Sequence, residues 1–493
     1  MSDATCDVAI VGCGIAGMAT ALRLQAKGYA TIILEAHGQP GGCAGFYTKK
    51  GFSFDVGATT LVDFELNGVG GELFQSVGIS IPESEKLDYK LWLPDREVHM
   101  YHDREKWNRE RLAKFGTSTD HIAFWKFIDH LADVFWNASR TGIKLPVQNL
   151  ADIVNSVRCV GARNLPLTRY LNWTFLDALK KFNLEHDVPL RSAMGMLIED
   201  TVHSSVEQAP LINAALGITI RGAGLRRAQG GMKGLWDHLV QAYHSMGGRL
   251  LLGNRVMQIG LSKGVYDLQS NKGRYRAAQV VSALPLDVTH DIVKGQLKKR
   301  FKKYLSAAAE KRGGAIVVFL GVPEEEVTNQ ELTHHQLMYN YNTPLGDGNN
   351  MFVSVSSPGD LKSAPDGYRA VMISTHCNLD EWQNLDDVSY SIKKQEAGEQ
   401  LVNLARKIYP DLGMRPVVYE VGTPRTYYKY TGRRDGAVGG IKQTITNSNL
   451  RAIPHDIGIP NFRLVGDTTW PGLGTVACIL GSRIVAEQIQ KGN

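Results

Sequence analysis

Near the start of the chain, Ile10-Val11-Gly12-Cys13-Gly14-Ile15-Ala16-Gly17 spaces three glycines as G-x-G-x-x-G. The chemistry open to such a segment is the holding of a pyrophosphate. Gly12 permits a tight turn, Gly14 lets the backbone approach the phosphates, and Gly17 lets a helix pack closely on the preceding strand. The free N–H groups and positive dipole end of that helix then face the negative charge. Glu35 follows Gly17 by 18 residues, near the ~20-residue spacing of a carboxylate that binds a ribose hydroxyl and disfavours a 2′-phosphate. This fingerprint alone leaves NAD, FAD and neither open. At the far end, Arg463-Leu464-Val465-Gly466-Asp467 leads into Pro471-Gly472-Leu473-Gly474. The pairing of the fingerprint with a second Gly-Asp turn points to FAD, and so to flavin redox chemistry.

The elements that must position these turns are legible as patterns. Residues 6–11 form a mostly apolar run, as expected for a buried parallel strand. A helix is predicted over 18–27, stopping at Gly28, and a second strand over 30–34. In the middle of the chain, residues 229–234 open a helical pattern that runs to Tyr243. Residues 247–256 read as turn and strand, and residues 280–284 as a buried strand stopped by Pro285. Residues near 101–224 carry helical periodicity, for example over 121–131. Residues near 311–454 contain strand-like runs at 315–320 and 351–356. The predicted fold class is α/β. A discontinuous Rossmann-like FAD-binding domain (1–100, 225–310 and 455–493) is interrupted by an α+β substrate-binding, membrane-associating domain (101–224 and 311–454).

Composition narrows the function classes. With 493 residues, 43% hydrophobic and 21% charged, the chain suits two or three globular domains. No apolar run approaches the ~18 residues of a membrane span. No basic segment precedes the first strand as in a signal peptide, so an intracellular, cytoplasmic protein is expected. The six cysteines and fourteen histidines show no metal-ligand spacing, and no metal site is expected. Cys13 and Cys43 fall in the proposed FAD loops, where packing of a small side chain is the favoured reading over redox pairing. The net charge of +6 is concentrated in Lys294, Lys298, Lys299, Arg300, Lys302, Lys303, Lys311 and Arg312. No nucleic-acid module accompanies this run; a solvated helix face is the first reading and contact with anionic lipid the second. Residues 157–182 mix Arg158, Arg163, Arg169, Lys180 and Lys181 with Tyr170, Trp173 and Phe175. Two readings stand for them, an interfacial membrane helix and a helix covering a substrate tunnel.

Gly41-Gly42-Cys43-Ala44-Gly45, followed by Phe52-Ser53-Phe54-Asp55-Val56-Gly57, resembles the loop after the second strand in the flavin amine oxidase and phytoene desaturase superfamily. Gly422-Thr423-Pro424-Arg425-Thr426, Tyr430-Thr431-Gly432-Arg433 and 436–440 look like the block before the last FAD segment in carotenoid desaturases and isomerases. Residues 464–474 are similar to the terminal VGDS-x-x-PGQG element of that family, and Gly42-Cys43 resembles its isomerase and C-3′,4′-desaturase branch. Two departures concern the flavin edge. Leu473 stands where the family often has Gln, and Thr475-Val476-Ala477-Cys478 replaces a sequence usually close to Val-Pro-Ala-Val.

The resemblance implies that Gly12, Gly14, Ile15, Ala16, Gly17 and Glu35 hold the phosphate and ribose end of FAD. Gly41, Gly42, Cys43, Ala44, Asp55, Gly57 and Ala58 would follow its middle, and Val256 and Ala283 its adenine side. Gly466, Asp467, Gly474, Thr475 and Val476 would reach its flavin end. It also implies a hydrophobic polyene substrate, a carotenoid, that loses hydride to flavin N5 and then a proton. Peripheral contact with a membrane surface is expected from the basic and aromatic stretches above, and quinone and oxygen both stand as electron acceptor. The delocalised incipient cation makes strong acid–base groups dispensable. If such groups are used, Arg425, Tyr427, Tyr428 and Arg433 are the candidates. The leading expectation is a desaturase of the C-3′,4′ type. The alternatives are a carotenoid cis–trans isomerase using reduced FAD, an amine or porphyrinogen oxidase, and a flavin-free binder of prenylated proteins on a related fold.

Overall fold

The computed structural model describes residues 4–220, 224–308 and 313–491. The strand Ala4–Val11 lies inside a seven-stranded sheet, and Val8, Ala9, Ile10 and Val11 are buried, as a parallel strand covered on both faces requires. Thr31–Leu34 and Arg274–Ser282 flank it, both parallel to it. Arg249–Leu251 extends the parallel set on one side, and Phe462–Leu464 pairs parallel with the end of Arg274–Ser282. Val265–Ser270 and Val256–Ser262 add an antiparallel meander at the other edge. Chain order therefore reverses between Ala4–Val11 and Arg274–Ser282. This is the switch point at whose carboxyl side a doubly wound sheet binds its ligand.

The helix Ile15–Gln25 starts at Gly14, which forms no side-chain cap, and it packs against the last helix, Thr475–Lys491. A β-carbon on Gly17 would lie 2.2 Å from the Gly12 carbonyl oxygen, so only glycine admits this helix–turn contact. Gly28 takes the left-handed φ of +87° that stops the helix, as the sequence predicts.

A second, mostly antiparallel sheet runs in the order Val418–Gly422, Gly314–Pro323, Tyr368–Cys377, Asn350–Val355, His334–Met338, Tyr89–Trp92, Glu97–Met100. Its last two strands fall inside 1–100, the segment assigned from sequence to the FAD domain. Tyr89–Trp92 instead pairs in parallel with His334–Met338, so the first domain gives up its chain before residue 89. The partner strand lies some 240 residues away, beyond the reach of any local pattern.

The block after residue 101 is helical, as its periodicity predicts. Its helices are started by side-chain caps: Asp103 accepts from the Lys106 N–H at 2.8 Å, Asn149 from Asp152 at 3.0 Å, and Thr174 with Asp177 forms a capping box. Within residues 162–181, Tyr170, Phe175, Ala178 and Leu179 are buried, while Arg163, Arg169, Lys180 and Lys181 are exposed. The exposed apolar surface lies just before them. On the helix Leu150–Val160, Leu150, Ile153, Val154 and Val157 are all exposed at helical spacing. The basic run forms the helix Leu297–Ala308, which buries Leu297 and Phe301 and leaves Lys299, Arg300, Lys302 and Lys303 in solvent; Lys311 and Arg312 lie outside the described residues. Among the described residues, no helix is long and apolar enough to cross a membrane.

Candidate flavin and substrate site

A cavity of about 1140 Å³ lies between the two sheets. That exceeds the ~300–1,000 Å³ of an ordinary single-ligand pocket. One side is built by the strand ends Val11, Leu34 and Ala283 and by the glycine loops that follow them. The other is the inner face of the second sheet, where Ala315, Val317 and Phe319 line the cavity while Ile316, Val318 and Leu320 point into a separate core.

Most of the predicted cofactor residues converge here. Gly12, Gly14, Ile15, Ala16, Glu35, Gly41, Gly42, Cys43, Ala44, Gly57, Ala58, Val256, Ala283, Gly466, Asp467, Gly474 and Thr475 all line the cavity. Three do not. Gly17 serves the helix contact described above. Val476 sits one residue into the last helix, outside the lining. Asp55 lies behind the loop, outside the cavity lining. Its carboxylate is buried in an ion pair with Arg227 at 2.5 Å and accepts from the Met232 N–H at 2.7 Å, so it fixes the loop from behind.

The cradle suits a dinucleotide. A β-carbon on Gly14 would meet nothing within 4 Å, and neither would one on Gly474, so both backbones stand open to a ligand at opposite ends. Glu35 accepts from the Cys13 N–H at 2.6 Å and from the His37 N–H at 2.7 Å, which presents its carboxylate at the end of Thr31–Leu34. At the far end Arg433 donates to Asp467 at 2.5 Å. Burial on its own would lower the Arg433 pKa, and the Asp467 carboxylate raises it instead. Burial raises the thiols of Cys43 and Cys478, which makes both poor thiolates and supports the packing reading for Cys43.

The four candidate acid–base residues separate. Arg425, Tyr427 and Arg433 line the cavity. Tyr428 does not, being 60% exposed. The polar atoms of the first three are engaged by protein. Arg425 lies 4.0 Å over the Tyr390 ring and pairs with Asp387, and the Tyr427 hydroxyl donates to the Val56 carbonyl at 2.6 Å. Arg433 holds Asp467.

Sequence reasoning missed a polar cluster in the wall. His203, Asn350 and His376 line the cavity, with Glu199 behind them. His376 Nδ1 lies 3.5 Å from Glu199, and the His203 and His376 rings meet edge to face with centroids 4.8 Å apart. Burial pushes His203 down to about 3. Burial would also lower His376, but the Glu199 carboxylate raises it above its ordinary value. Glu199 and His203 are spaced i, i+4 on a helical pattern, a signal that was readable; nothing local ties them to His376.

Comparison with known proteins agrees with this cradle. The chain is 25% identical to prolycopene isomerase 2, chloroplastic, of an Oncidium hybrid cultivar, covering 98% of this chain and 83% of that one. It is 23% identical to the lycopene-forming phytoene desaturase of a Paracoccus strain, covering 97% and 96%. In fold it is similar to cyclohexylamine oxidase from Brevibacterium oxydans, with a TM-score of 0.62, 17% identity and 98% and 99% coverage. The family described as flavin containing amine oxidoreductase matches residues 15–490. A match over nearly the whole chain shows that the chain belongs to this family, and its dinucleotide is FAD.

Proposed function

We propose that this protein is an FAD-dependent carotenoid desaturase of the C-3′,4′ type. The observation that carries the reading is the continuity of the dinucleotide cradle with a second compartment walled by Met196, Val317, Phe319, Met351 and Phe352. A long apolar polyene fits such a wall, and end-to-end similarity to enzymes named for carotenoids supports it. Bound FAD supplies a two-electron acceptor. The protein's part is to place an allylic C–H bond beside it and exclude water. Quinone or oxygen would reoxidise the cofactor.

Isomerisation with reduced FAD is the second reading, favoured by the four prolycopene isomerases among its relatives. The exposed stripe Leu150, Ile153, Val154 and Val157, with Arg158 in the same helix, would rest on the membrane that stores the substrate.

The test is incubation of FAD-loaded protein with acyclic carotenes. Desaturation lengthens the chromophore, red-shifts absorption and removes two hydrogens. Isomerisation alters retention with no change of mass. An unchanged carotene pool together with conversion of an amine would overturn both readings.

A further inference from the structure

The Glu199–His376–His203 cluster has a built geometry. Glu199 accepts a 2.7 Å hydrogen bond from the Asn350 side chain while its carboxylate faces His376. His376 stands in front of it, on the strand Tyr368–Cys377, with its ring in the cavity lining. His203 closes the helix Val188–Val202 in a left-handed conformation, φ +53°. The His203 ring packs on Gly439 so closely that a β-carbon there would lie 2.0 Å from Cε1. Gly439 belongs to the segment that carries Arg433, the partner of Asp467 at the flavin end. The cluster thus shares a wall of the cavity with the segment that carries Arg433.

The charged and titratable groups around His376 are Glu199, Asp200 and His203 from the helix, Asp347 from the loop before Asn350–Val355, and Arg433 beyond His203. Burial, His376 and Arg433 all keep His203 neutral, whereas Glu199 and Asp200 favour a proton on His376. Two imidazoles pushed apart in this way divide the roles of proton carrier and neutral neighbour.

We propose that His376, oriented from behind by Glu199, takes up the proton that the polyene releases. The inference rests on the desaturase reading above. FAD held in the cradle would supply the acceptor for a hydride from one substrate carbon. Its neighbour gives a proton to the neutral His376 imidazole, and the electron pair of that second C–H bond becomes the new C=C bond. A quinone or oxygen would take up the two electrons overall, and the His376 proton returns to solvent. His376 is the catalytic residue and Glu199 a positioning residue.

The experiment is the pH profile of anaerobic single-turnover polyene oxidation by the FAD-loaded protein. Wild type should show an ascending limb with an apparent pKa above 6.5, the ordinary histidine value. Glu199→Gln should move that limb down by about one pH unit or more. His376→Gln should abolish it and slow the maximal rate by about 10²–10⁴-fold, with FAD affinity and melting temperature unchanged. Polyene oxidation by wild type with a flat profile above pH 6.5, a limb unmoved in Glu199→Gln, or a His376→Gln rate within a few-fold of wild type would overturn the inference alone. The wild-type profile decides even if a variant fails to fold. A wild type that oxidises no polyene would overturn the functional reading and this inference together.

Discussion

Arg433 reaches Asp467 at 2.5 Å with only 15% and 13% of the two side chains exposed, so the acid at the flavin end of the cavity is already neutralised by protein. Thirty-four residues separate the two in sequence, and the pair ties the loop after the helix Pro424–Thr431 to the terminal glycine turn. Replacing Arg433 with Met leaves Asp467 as an uncompensated buried charge. The expected cost is about 3–5 kcal/mol of stability, with a fall in bound flavin, read by chemical denaturation and by the flavin-to-protein absorbance ratio.

Gly14 and Gly17 separate binding from folding. Gly14→Ala places a methyl in open cavity, with nothing within 4 Å. It should fold normally and bind FAD at least about tenfold more weakly. Gly17→Ala drives a methyl to 2.2 Å from the Gly12 carbonyl oxygen and should cost about 1–3 kcal/mol of stability. Flavin titration and thermal denaturation of the two variants check the contrast.

Acid should unfold this protein partly through buried histidines. His335 and His455 are almost fully buried, and burial lowers them to about 3 and about 4. His335 Nδ1 accepts from the Trp92 indole at 3.2 Å, a bond that protonation there would break. Their folded-state pKa values are depressed, so the unfolded chain binds more protons at mildly acid pH. The stability they contribute is complete above the unfolded value near 6.5. It declines below that point by about 1.4 kcal/mol per pH unit for each residue until pH reaches 3–4. Urea denaturation between pH 7.5 and 5 should show this slope, and His455→Gln should reduce it.

The apolar stripe on Leu150–Val160 should govern attachment to lipid. A Leu150→Ser, Val154→Ser double variant removes two exposed side chains and disturbs no core. It should keep its melting temperature and lose about tenfold or more in partition to anionic vesicles, measured by co-sedimentation. Unchanged partition would mean that another surface makes the contact.

The parts legible in the sequence were those fixed by short spacing. Gly12, Gly14, Gly17 and Glu35 sit within one strand–helix–strand unit, so local pattern sufficed to bring them to one end of the sheet. The terminal Gly466-Asp467 turn was legible for the same reason, and its partner Arg433 was named, though for a different role. Tyr427 and Tyr428 were grouped although consecutive residues of a helix point about 100° apart. One faces the cavity and the other solvent. Glu199 and His376 were invisible as a pair because a helix and a strand far apart in the chain bring them together. The strand Tyr89–Trp92 pairs with His334–Met338, which lies farther off still in the chain, so no local pattern ties the two together.

The strand Gly314–Pro323 turns Ala315, Val317 and Phe319 toward the cavity, where they also pack with Phe52, Phe54 and Met372, and its even-numbered neighbours toward a second core. Cavity shape and foldability are therefore written in partly separate letters of one short word. A lineage can exchange an odd letter for one of similar bulk to reshape the cavity while the even letters keep the sheet together. The cofactor's grip, built from distant glycine turns, is untouched by such exchanges. New substrate preferences in this scaffold should accordingly arise by few mutations, and they should cluster at every second position of that strand.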